Sequence, residues 1–112
     1  MSRVNLNRRL VLEGAQRQPD GAGGYAVVWQ PVGTVWAEVI PGTGREAGLV
    51  EATVASVPYR ITVRGAPDGA PSRPRPDQRF RDASRVFRIL AVTERDRRGQ
   101  YLTCFAQEEV PT

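Results

Sequence analysis

The chain of 112 residues contains no histidine and a single cysteine, Cys104, and all sixteen of its basic residues are arginine. One thiol cannot close an internal disulfide, and without histidine a metal site would have to be built from carboxylates alone. A Ser-His-Asp or Cys-His arrangement cannot be assembled from this set. General-base chemistry would fall to the carboxylates, and no paired-carboxylate motif stands out. The sequence reads as a protein without catalysis, resident metal or cofactor.

Long apolar runs are also missing. None approaches the ~18–20 residues that a membrane-spanning helix requires. Met1 to Arg9 is polar and basic, with no apolar stretch behind it that would make a secretory signal. Synthesis in the cytoplasm without membrane association is the expectation. The absence of lysine has two readings. Arginine binds phosphate bidentately, but arginine with abundant glycine, alanine and proline is also what a GC-rich genome encodes. The net charge of +4 is modest. Cys104 itself is expected to serve as a small core hydrophobe.

What is present is punctuation. Eleven glycines and nine prolines break the chain into short segments, most with β-branched or aromatic residues in alternation. One domain over residues 1–112 is the expectation from length, opening with a basic arm at 1–9. Leu10-Val11-Leu12, ending at Gly14, reads as a first strand. Gln16 to Gly24 is a turn cluster built on Pro19-Asp20-Gly21 and Gly23-Gly24. Tyr25 to Gln30 forms a second strand, and Pro31 and Gly33 interrupt it with an edge, bulge or bend. Val35 to Ile40 resumes, with Val35, Ala37 and Val39 on one face and Trp36, Glu38 and Ile40 on the other.

Residues 41–57 read as a long loop. Pro41-Gly42-Thr43-Gly44 is a turn, lacking the Lys and following helix that a phosphate-cradling loop needs. Arg45 to Ser56 carries a weak helical stripe, while Glu51 to Val57 also fits a strand, and the segment reads as an excursion between strands with at most one helical turn. Tyr59 to Arg64 is a strand with Tyr59, Ile61 and Val63 inward and Arg60, Thr62 and Arg64 outward. Residues 65–79 form a second long loop, proline-rich and extended. A short strand near Gln78–Arg81, a strand from Arg85 to Val92, a polar turn at Arg95–Gly99 and a strand from Tyr101 to Ala106 complete the chain. In the last strand Leu102, Cys104 and Ala106 share one face, and Tyr101, Thr103 and Phe105 the other. The expected fold is all-β: a small β-barrel of about five to seven short antiparallel strands with long loops and little helix.

Two features point to partners. Arg73, Arg75, Arg79, Arg81, Arg85 and Arg88 crowd one segment with only Asp77 and Asp82 among them. The first four are candidates for contact with DNA or an acidic partner, against the plainer reading of a solvated loop. Trp36, Tyr101 and Phe105 sit on strand faces that would otherwise meet solvent, and aromatics of this kind are enriched at protein interfaces.

In order along the chain stand the Leu10 strand, a Gly-rich turn then Trp29, Val35-Trp36-Ala37, and Gly44-Arg45-Glu46. Tyr59-Arg60-Ile61-Thr62-Val63-Arg64, Arg79-Phe80, Val86-Phe87-Arg88-Ile89 and Leu102-Thr103-Cys104 follow. Together these resemble the phage head-tail joining family, the head-completion or stopper connectors of long-tailed phages and phage-like gene transfer agents. The sequence departs from that pattern after Arg64, where Gly65 and a long Pro-rich loop replace an aromatic residue and a short turn. The resemblance implies a β-barrel subunit in a ring of twelve copies at the neck of a particle. Its ring would sit below a portal or adaptor ring and above the tail terminator or tail tube, holding double-stranded DNA in the head. It would also project residues 41–57 toward the channel. Trp36, Glu38, Ile40, Arg45 and Glu46 are then the expected subunit-interface residues. A small OB-like nucleic-acid-binding barrel and a tail-terminator ring protein are the alternatives.

Overall fold

The computed structural model describes residues 3–42 and 57–109. Six strands run β1 (Arg8–Pro19), β2 (Tyr25–Pro41), β3 (Val57–Arg64), β4 (Arg79–Asp82), β5 (Arg85–Glu94) and β6 (Tyr101–Glu109). They close into an antiparallel barrel in the order β1-β2-β3-β6-β5-β4, with β4 returning to β1 at Val11–Glu13. No helix occurs among the described residues. The expected all-β barrel is the observed fold.

The interior is filled by the alternating set that period-2 patterning places on one face. Leu10, Leu12, Ala37, Ile61, Val63, Phe80, Phe87, Ile89, Leu102, Cys104 and Ala106 are buried together, with Val35, Val39, Tyr59 and Val92 packed against them. Tyr59 meets Phe87 edge-on at 5.2 Å between ring centres. Burial of each large side chain stabilises by about 1.5–3 kcal/mol, and Phe80 and Phe87 are the largest fully buried ones.

Three boundaries differ from expectation. The two strands expected at 25–30 and 35–40 are one 17-residue strand, β2. Pro31 does not end it, because a bulge absorbs the irregularity: Leu12 faces Gly33 and Glu13 faces Pro31, leaving Val32 as the extra residue. Likewise β1 continues through Gln16–Pro19, so the turn is confined to residues 20–24. There Asp20 Oδ1 accepts from the amides of Ala22 and Gly24 at 2.8 and 3.0 Å. Finally, residues 65–78 are not extended. Their free amides close successive turns, Ala70 to Pro67, Arg73 to Ala70 and Gln78 to Arg75, and Pro74 is buried. Proline cannot join a ladder, so the amides between prolines find carbonyls three residues back.

A second bulge falls at Leu90, between the Ile89↔Ala106 and Ala91↔Phe105 pairs. It moves the inward face of β5 from Phe87 and Ile89 to Val92. This is why β5 reads as apolar on both sides.

Beyond the barrel rim β1 and β2 carry on alone. Residues 14–19 pair with 25–30, but β4 reaches only Glu13 and β3 only Ala37. The result is a two-stranded hairpin standing out from the barrel.

Candidate functional site

Because the Val32 bulge inserts one residue, parity on β2 reverses across it. Val35, Ala37 and Val39 face the core, whereas Trp29, Val27 and Tyr25 follow Pro31 and Glu13 onto the outer surface. The outer side of β2 therefore carries apolar groups along nearly its full length. Of the six large hydrophobics exposed among the described residues, five lie on this strand: Tyr25 at 62%, Val27 at 60%, Trp36 at 56%, Val32 and Ile40 at 38%. The sixth is Val57. Tyr25, Val27, Trp36 and Ile40 share the outer face and form a candidate contact stripe, whereas Val32 lies beside Gly14 and residues 69–78.

Trp36 and Ile40 thus stand outside the barrel, as the alternation predicts. Glu38 lies between them and accepts a 2.9 Å hydrogen bond from the Asn5 amide, which brings residues 3–7 over this wall. Arg45 and Glu46 lie outside the described residues. Beside Trp36 a groove of about 440 Å³ opens where β3 leaves β2, lined by Leu6, Thr34, Val35, Trp36, Arg64, Gly65, Ala66 and Ser72.

The arginine cluster is less free than its sequence suggests. Arg79 and Arg81 share the carboxylate of Glu13, at 2.6 and 3.1 Å. Glu13 is only 6% exposed although it points outward, because the two guanidinium groups roof it. Arg79 also lies over the Trp29 ring, 4.2 Å from its centre, a cation–π contact at the hairpin's base. Arg73 donates to the Ala66 carbonyl at 2.8 Å and approaches Asp68 at 3.8 Å. Arg75 is exposed. Arg88 faces Asp77 at 3.5 Å.

Arg85 holds Glu108 bidentately, at 2.7 and 3.1 Å, and touches the Tyr59 hydroxyl. The pairing pushes the Arg85 pKa further up and holds the Glu108 carboxyl below its ordinary value. Arg8 and Asp82 form another ion pair, across the β1–β4 seam. Three carboxylates from outside the cluster, Glu13, Asp68 and Glu108, therefore meet it, and much of its charge is spent within the subunit. Sequence reading missed Glu13, Trp29 and Glu108. A carboxylate directly after the Leu10–Leu12 run was the one available signal, and nothing local identifies partners 66 and 68 residues away.

Among the described residues no group of three or more His, Cys, Asp or Glu could hold a metal ion. Cys104 is buried, and desolvation pushes its thiol up to about 12. No helix among the described residues is long and apolar enough to cross a membrane.

A closed antiparallel barrel with an unpartnered hairpin and an apolar outer stripe defines a binding or assembly module. Residues 1–109 match the family model of the phage head completion protein, and the chain belongs to that family. Among solved structures it is similar to a chain from the virion of a native gene transfer agent particle. The two are 57% identical with a TM-score of 0.79, over 98% of this chain and all of that one. A solution structure of a protein from Shigella flexneri 2a shares the fold at 20% identity and a TM-score of 0.70, each chain covered in full. No curated protein matches.

Proposed function

We propose that the chain is a head-completion subunit of a phage-like particle of the gene-transfer-agent kind. It forms a ring at the neck, below the portal or adaptor and above the tail terminator or tail tube. The ring closes the DNA-filled head and offers the tail its docking surface. The family membership supports the head-completion role, and the 57% identical virion chain supports the kind of particle. The observation that carries the ring is the outer stripe of β2, with Trp36 and Ile40 exposed beside Glu38. A ring subunit must offer apolar surface to neighbours as well as to its own core. Trp36, Glu38 and Ile40 are the proposed subunit contacts, joined by Arg45 and Glu46.

Of the four arginines proposed for DNA or an acidic partner, Arg75 and the half-exposed Arg81 are best placed. Arg79, with 14% of its side chain exposed, supports the hairpin first. The chain acts as a structural component without chemistry of its own, made in the cytoplasm and then carried in the particle's neck.

Electron microscopy of particles produced without this protein tests the reading. The expected result is DNA-containing heads that lose their genome and carry no tail. Filled, tailed particles would sink the proposal.

A further inference from the structure

The hairpin and the groove beside Trp36 have matching properties and cannot meet within one chain. Val27 and Trp36 are nine positions apart on the same continuous strand, about 30 Å at the usual rise per residue. At the hairpin's end, Tyr25 and Val27 expose most of their surface, and Asp20 is the only charged residue between Gln18 and Val27. The Ala22 and Gly24 amides hold the Asp20 carboxylate at the tip, while Arg17, opposite Val27, lies over the Tyr25 ring 4.6 Å from its centre. The groove is apolar at Leu6, Val35, Trp36 and Ala66, and Arg64 is its only charged lining residue. Both surfaces lie along β2 where its outer edge has no strand partner, between the hairpin end and Trp36.

We propose that the occupant of this groove is the β1–β2 hairpin of a second copy of this chain. Tyr25 and Val27 lie against Trp36, and Asp20 faces Arg64. The contact joins two different patches, so it is heterologous. Repeated with rotation it generates a closed ring rather than a two-fold dimer. The inference rests on the ring reading above and names the surfaces that make the ring. The Arg79–Trp29 contact and the Glu13 pairs at the hairpin's base give the arm a fixed direction, which ring closure requires.

Disulfide capture in assembled particles tests it. Full-length Val27→Cys/Trp36→Cys chain is incorporated into particles, which are treated with copper phenanthroline and run on a non-reducing gel. A disulfide needs its two Cα atoms within about 7 Å, so this pair cannot close inside one chain. Native Cys104 is buried and stays out of the reaction. The expected result is a ladder of covalent oligomers from the double variant and monomer from each single variant. The pair Tyr25→Cys/Thr34→Cys, which keeps Val27 and Trp36, repeats the test if the first is excluded from particles. Dimers from Val27→Cys alone would show hairpins meeting hairpins and overturn the proposal. Monomer alone from both pairs, in particles that hold several copies each, would overturn the hairpin contact and leave the ring standing. A single copy per particle would remove the ring reading itself.

Discussion

The Nε of Arg79 donates to Glu13 at 2.6 Å while its guanidinium covers the face of Trp29, so one side chain ties β4 to both strands of the projecting hairpin. The carboxylate lies beneath two cations and almost out of water. Breaking such a buried pair by removing one partner leaves charge uncompensated. Glu13→Gln is therefore expected to cost about 2 kcal/mol, below the usual range for fully buried pairs because Arg81 is partly solvated. Arg81→Ala should cost under about 1 kcal/mol. Urea unfolding of the two variants checks the order; equal losses would mean the pair is merely superficial.

Gly65 has a different role. A Cβ there would meet the carbonyl oxygen of Gly99 at 2.0 Å, where the Gly65 amide also donates to the Gln100 carbonyl at 2.7 Å. The obstacle is backbone and cannot rotate away. Gly65→Ala is expected to destabilise by about 2–3 kcal/mol, read as a lowered Tm. An unchanged Tm would show that the β5–β6 turn can move aside.

Ala83 offers the reverse change. It joins β4 to β5 in a two-residue turn at φ 53°, a conformation that strains a Cβ. Ala83→Gly should be neutral to stabilising, by up to about 1 kcal/mol, with relieved strain set against greater freedom of the unfolded chain. A clear loss in a thermal melt would contradict the turn geometry.

Acid should unfold this protein through its paired carboxyls. Glu108 titrates below its ordinary value of 4.5 in the folded chain, chiefly because Arg85 bonds it. Asp20 and Asp96 are lowered by backbone amides. A depressed folded pKa contributes stability that is fully present above the unfolded value and is lost as pH falls through the folded one. Stability should therefore be level from these groups above about pH 5 and decline below it. Arg85→Ala should shallow that decline, measured as urea midpoints between pH 3 and 7. An identical slope would remove the Arg85–Glu108 pair as a cause.

Cys104 should resist modification. Buried between β3 and β5, with its thiol raised to about 12, it presents almost no thiolate at pH 8. Labelling with a maleimide should follow the rate of unfolding and rise sharply in urea. Rapid stoichiometric labelling of the native protein would place Cys104 at the surface.

Much of this was legible in the residues. Tyr59, Ile61 and Val63 announce an inward face by alternation, as do Leu102, Cys104 and Ala106. Trp36 and Ile40 were assigned outward, and they are exposed. The bulge at Pro31–Gly33 was one of three forms the sequence allowed. The Asp82–Arg85 turn was not legible, because Ala83-Ser84 lacks the Gly or Asn that signals a tight hairpin. Nor were the strand lengths, since Pro19 and Pro31 look like stops and instead lie where β1 and β2 have little or no further partner.

The sequence by itself determined the class of fold and the core face of regular strands such as β3 and β6, because alternation is a local property. Only the tertiary structure decided where the charges go. Counted along the chain, Arg73–Arg88 is a basic segment; in space it meets Glu13, Asp68 and Glu108. Strand order and register bring those partners in, and both depend on closing the barrel. The single inserted residue at Val32 likewise turns Trp29, Val27 and Tyr25 onto the same surface as Trp36. One residue's shift in register exchanges the faces of every side chain beyond it, and Pro31 and Gly33 mark the interruption without stating that it is a bulge rather than an edge or a bend.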